Sequence, residues 1–151
     1  MQRNSPYKNF VSYLFWSIFF IFYGSLASIY LILPPLMAPL FIVFKDALNK
    51  KESMQLFFLI VVILVFEAQE GFMTFTLLIY FLIVDKFIVP KIQQSINAKK
   101  LQDILYVVLA YFGYILFYTL LSQIFLLPLL DVNLYFIYYI VFEYFLVSVL
   151  L

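Results

Sequence analysis

The sequence predicts an all-α integral membrane protein, a compact bundle of about six transmembrane helices with a cytoplasmic N-terminus. Three observations lead there. Of 151 residues, 67% are hydrophobic and 11% charged, and mean hydropathy is +1.09; soluble domains carry about 45–50% apolar and about 25% charged residues. The apolar residues come in long uninterrupted runs. The Lys and Arg residues fall in alternate gaps between those runs. No polar stretch is long enough to form a soluble domain, so residues 1–151 read as one polytopic membrane domain.

Residues 1–9 are polar and include Arg3 and Lys8. Residues 10–33 carry no charge, enough to cross a hydrocarbon core of about 30 Å. The run outlasts the usual apolar stretch of a signal peptide, about 7–15 residues, which argues for an uncleaved first span. Pro34-Pro35 ends it, because a residue preceding proline is pushed out of the α region. A shorter second span follows over 36–44, with Pro39 in its first turn, where proline is tolerated. It continues to about residue 51, with Lys45 extending its ammonium toward lipid headgroups.

Residues 54–66 and 72–84 form a helical hairpin around Glu67-Ala68-Gln69-Glu70-Gly71, in which Gly71 supplies the positive φ that a tight turn or helix end requires. The first arm is short and borrows from its flanks, which draws Glu67 to the membrane surface or just below it. The second arm extends to Val89, before Pro90. Residues 85–103 are the longest polar region, 101–127 a fifth span, and 134–151 a sixth, uncharged but for Glu143. With the N-terminus inside, all nine basic residues lie on one side, and the opposite turns carry Glu67, Glu70 and Asp131 alone, as the positive-inside rule requires. Treating 54–84 as a single helix would separate the lysine loops across the membrane.

Candidate functional residues are few. Cysteine and histidine are absent, which removes thiolate nucleophiles, the usual zinc ligands and a histidine base; no cofactor, metal or nucleic acid is expected, and no enzyme constellation stands out. Glu143 lies near the middle of an apolar span, where a charge costs at least about 2.5–3.5 kcal/mol. It is either a proton- or substrate-binding carboxylate, or a partner for a polar group on another helix, or a structural glutamate kept protonated by burial and hydrogen-bonded inside the bundle to Ser122, Gln123 or a tyrosine. Glu67, Gln69 and Glu70 could bind a cation or a basic partner segment, or form a solvated turn. Gly24, Ser25, Ala27 and Ser28 form a small-residue patch suited to close helix approach and hence to partner docking. The lysines read as a topology signal in contact with anionic lipid headgroups.

The layout resembles the rod-shape-determining MreD family. Three features carry the resemblance: about 150–170 residues in six packed spans, a proline before the second span (Pro35), and an acidic residue closing the third span with glycine four positions on (Glu67, Gly71). The chain departs from the family in having Glu67 where Asp is usual, Phe75 where a second glycine often stands, and no glycine in 56–66. The resemblance implies a non-enzymatic scaffold or regulatory subunit of the bacterial inner membrane, working with MreC-like and cell-wall synthesis partners in peptidoglycan elongation. The fold it implies is also similar to that of the substrate-binding subunits of energy-coupling-factor vitamin transporters, which supplies the alternative, a small-molecule transporter subunit.

Overall fold

A computed structural model describes residues 6–150. The chain is all-helical, 82% helix, with six helices and no strand among the described residues. They are α1 (Pro6–Ile29), α2 (Met37–Lys50), α3 (Ser53–Glu70), α4 (76–95), α5 (Lys99–Phe125) and α6 (Tyr135–Leu150). Three of them, α1, α3 and α5, are long and apolar enough to cross a membrane; α6 is a shorter apolar helix.

The ends of these helices explain where the expected boundaries shift. Lys51, Gly71 and Leu126 all adopt left-handed backbone, and each closes a helix in the same way. The residue after it donates its N–H back to the carbonyl five positions earlier: Glu52 to Ala47, Phe72 to Glu67, Leu127 to Ser122. This is the Schellman closure of otherwise unpaired carbonyls. Glu67 to Glu70 therefore belong to the last turn of α3, and the hairpin turn is 71–75 rather than the acidic segment itself. Pro90 does not end α4. A π-helical turn, Val84–Ile88, precedes it, and the helix continues as Val89–Ser95. Pro90 has no N–H for the ladder, and the widened turn is where the ladder changes register. Much of the polar region 85–103 is thus helical, with its break at 96–98.

The second π-helical turn, Leu109–Gly113 in α5, has a different cause. The Tyr80 hydroxyl of α4 donates to the Leu109 carbonyl at 2.6 Å. It also occupies the space where a side chain at Gly113 would begin. A side-chain hydroxyl inserted into a helical ladder distorts it locally, and glycine here is a requirement of close approach.

The core is centred on the shortest helix. Nine of the fourteen residues of α2 are buried, and α2 packs against α3, α4, α5 and α6. Phe41 meets Phe81 with ring centroids 5.0 Å apart, and Phe44 meets the same ring at 5.9 Å. Lys45 does not extend outward as expected: it is buried, its ammonium 4.2 Å from the centre of the Tyr106 ring and 3.8 Å from Asp46. A cation on an aromatic face is attracted by the ring quadrupole, more so when desolvated.

Helix α1 lies at the edge, packed along α3 in parallel. Phe10 meets Phe58 at 5.4 Å and the Tyr13 hydroxyl donates to Glu52 at 2.5 Å. At the other end Gly24 lies against Gln69. Its remaining faces expose Phe15, Trp16, Ile18, Phe19 and Phe22. The described lysines collect at one end of the bundle; Arg3 lies outside the described residues. Glu70 and Asp131 lie at the far end.

The Gly113 contact gives a test. Gly113→Ala should lower thermal stability in detergent by about 1–3 kcal/mol, as overpacking does, and adding Tyr80→Phe should recover part of the loss. Additive losses in that double-mutant cycle would contradict the inserted hydroxyl.

Two buried carboxylates at the starts of interior helices

Between the end of α1 and the start of α2, residues 30–36 run inward without helical structure. The Tyr23 hydroxyl donates to the Pro34 carbonyl at 3.0 Å, and the Tyr139 hydroxyl donates to that of Leu31. Helix α2 then begins beside Glu143, about 12 Å along α6 at 1.5 Å per residue. Its start is therefore inside the bundle, where its first N–H groups have no water to turn to.

Glu143 supplies the acceptor. The residue is fully buried; its Oε1 accepts from the Met37 N–H at 3.2 Å, and its Oε2 from the Ala38 N–H at 2.8 Å. The Tyr111 hydroxyl, carried on the π-helical turn of α5, donates to Oε1 as well. Leu36, the residue before α2, makes no side-chain cap of its own and sits in left-handed backbone at φ 58°. For a branched residue such a conformation costs about 1–2 kcal/mol.

Glu67 repeats the device at α4. It too is fully buried. Its Oε2 accepts from the Phe75 N–H at 2.8 Å, and its Oε1 from the Leu77 N–H at 2.5 Å, with the Thr76 hydroxyl 3.3 Å away. Tyr114 of α5 stands 3.0 Å from that hydroxyl. Phe75, like Leu36, is left-handed, at φ 71°, with no side-chain cap of its own.

Both sites join a carboxylate to the positive end of a helix, where exposed N–H groups and the aligned peptide dipoles favour an anion. Charge-assisted bonds of this kind are about twice as strong as neutral ones. Each carboxylate has both oxygens engaged, so both are helix caps supplied from another element; Tyr111 of α5 bonds Glu143 directly, and Tyr114 of α5 pairs with the Thr76 hydroxyl beside Glu67. The partners of Glu143 differ from two of those anticipated: the Ser122 hydroxyl donates to the Thr119 carbonyl at 2.7 Å, and Gln123 is exposed. A tyrosine does bind it. The tyrosine and the helix start could not be singled out from the sequence, although Pro34-Pro35 signalled a break.

The remaining candidates separate from this pair. Gly71 ends α3 at φ 72°. The small-residue patch is largely used within the chain. Gly24 is buried, a side chain there would meet the Gln69 Oε1 at 2.5 Å, and Gln69 Nε2 donates to the Ser25 hydroxyl at 2.7 Å. Gly24 and Ser25 thus dock α1 on α3, which leaves Ser28 exposed. Glu70 and Asp131 face a cavity of about 160 Å³ at the far end, bordered by Ser28, Leu31 and Tyr139. Among the described residues no group of three or more potential metal ligands converges.

Removing either cap should be costly. Glu143→Ala leaves two buried N–H groups and the Tyr111 hydroxyl without their acceptor and should destabilise by about 3–5 kcal/mol. Glu143→Gln keeps one acceptor oxygen and should cost roughly half as much. Formate or acetate should restore part of the Glu143→Ala loss, since the vacated helix start is an anion site. Thermal unfolding in detergent, with chloride as control, checks both; no rescue would mean that the cap does not stabilise α2.

No family model, curated protein or solved structure matches the chain.

Proposed function

We propose that the chain is a multi-pass protein of the bacterial inner membrane, N-terminus in the cytoplasm, and a non-enzymatic, MreD-like subunit of the cell-shape and peptidoglycan-elongation machinery. The observation that carries the reading is the α3–α4 turn. Where the MreD pattern has an acidic residue followed by two glycines at four-residue spacings, this chain has Glu67, Gly71 and Phe75. Glu67 is the carboxylate that caps α4, and positions 71 and 75 both have positive φ, the conformation glycine adopts most readily. Gly71 fits the pattern in residue and conformation; Phe75 departs from it in residue and shares only the conformation.

Membrane insertion is supported by the three long apolar helices and by the aromatic and aliphatic side chains exposed along α1 and α6. Collection of the described lysines at one end supports a cytoplasmic placement of that end. In this reading the bundle docks MreC-like and cell-wall synthesis partners through exposed helix faces within the membrane.

The transporter-subunit alternative asks for a ligand pocket. Small-molecule sites run to about 300–1,000 Å³, whereas the far-end cavity is about 160 Å³ and a second one, beside Phe112 and Ile137, about 260 Å³, and the two fully buried carboxylates are occupied by helix starts. Those two features favour the scaffold.

Depletion of the protein in its own organism, with cell outline followed by microscopy, tests the proposal. Rods rounding into spheres is the expected outcome, followed by co-purification of MreC. Normal outline with a growth defect on a limiting vitamin would overturn it in favour of transport.

A further inference from the structure

The non-helical strap 30–36 is held in an unusual way. Its first residues are exposed and Pro34 and Leu36 are buried, and two of its carbonyls each accept from a tyrosine hydroxyl of a different helix: Tyr23 of α1 on Pro34, Tyr139 of α6 on Leu31. Its exit into α2 passes through Leu36 in left-handed backbone, beyond which the Glu143 cap fixes the helix. Strained backbone persists where surrounding contacts over-determine it, and it concentrates at switch and clamp segments. The strap also forms a wall: Leu31, Leu33 and Pro35 line one side of the far-end cavity, and Glu70, Asp131 and Tyr139 line other parts of it.

We infer that strap 30–36 is a movable wall of the far-end cavity, hinged at Leu36 and latched by the Tyr139 and Tyr23 hydroxyls. The unequal strength of its attachments supports this. A carboxylate holds the first turn of α2 through two charge-assisted bonds to backbone, whereas Leu31 and Pro34 of the strap are each held to another helix by one neutral side-chain hydrogen bond, about half as strong. Movement therefore takes place by release of the latches while the capped start of α2 stays fixed. Tyr139 borders the cavity and holds the strap with the same side chain, so whatever enters beside it competes with the latch. The inference stands apart from the cell-shape reading, since it concerns access to the cavity whatever that cavity serves.

The absence of cysteine makes a clean test. Leu33→Cys, half-buried against the cavity, is introduced into the full chain in detergent, and its modification by a hydrophilic maleimide is timed. Adding Tyr139→Phe, which removes only the latch hydroxyl, should speed modification about five- to tenfold, the effect of one lost hydrogen bond. Tyr23→Phe should act in the same direction and serves if the first variant does not fold. Ile63→Cys, fully buried in α3, is the control and should stay unreactive in every background. Equal rates at Leu33→Cys with and without the latches would overturn the inference. Equal acceleration at Ile63→Cys would overturn it too, by showing general loosening.

Discussion

A helix that begins inside a bundle brings N–H groups into a place without water, and nothing in such a helix can satisfy them. This constraint organises the protein. Helix α2 begins that way, and α4 leaves its hairpin turn with Thr76 and Leu77 already buried; in both cases a glutamate from elsewhere in the chain lies against the exposed donors. A buried carboxylate without partners and a bare buried helix start are each costly. Pairing them offsets part of both costs and fixes where α2 and α4 start relative to α6 and α3.

The rest of the core follows from these two fixed points. Tyr111 and Tyr114, a turn apart on α5, reach the Glu143 and Thr76 sites respectively, so one helix surveys both caps. Tyr80, one turn along α4 from Thr76, enters the α5 ladder at Leu109 and imposes the π-helical turn that carries Tyr111. The hydroxyls of these interior tyrosines join the caps to neighbouring helices, while Phe41, Phe44 and Phe81 fill the volume between α2 and α4. Tyrosine suits this duty because its ring packs like phenylalanine and its hydroxyl still demands a partner.

Much of the fold was legible in the sequence, and the reason is simple: apolar runs broken by charged or proline-rich segments mark helices whatever they pack against. The segments 10–33, 36–51 and 134–151 fall close to α1, α2 and α6. The misplaced boundaries have local causes. Pro90 reads as a stop because a π-helical turn before it leaves no trace in composition. Glu67 and Glu70 read as a turn because charge suggests solvent, whereas their helix closes one residue later at Gly71. Lys45 reads as reaching outward because its aromatic host, Tyr106, is sixty-one positions away in the chain. Glu143 stood out as an intramembrane carboxylate, but besides Tyr111 its partners are backbone N–H groups, and backbone carries no sequence signature. The small residues of α1 did mark close approach, though the approaching helix is α3 of the same chain.

One consequence concerns the order in which the protein can be completed during synthesis. Chains emerge N-terminus first, at about 5–20 residues per second. The start of α4 finds its cap in Glu67, which precedes Phe75 and Leu77 by 8 and 10 positions. The start of α2 waits for Glu143, separated from Met37 and Ala38 by 106 and 105 positions. Until α6 arrives, the central element of the bundle has an unfinished start, exposed to whatever the membrane and the translocation machinery offer it. The anchoring of the interior is thus deferred to a carboxylate made long after the helix it caps.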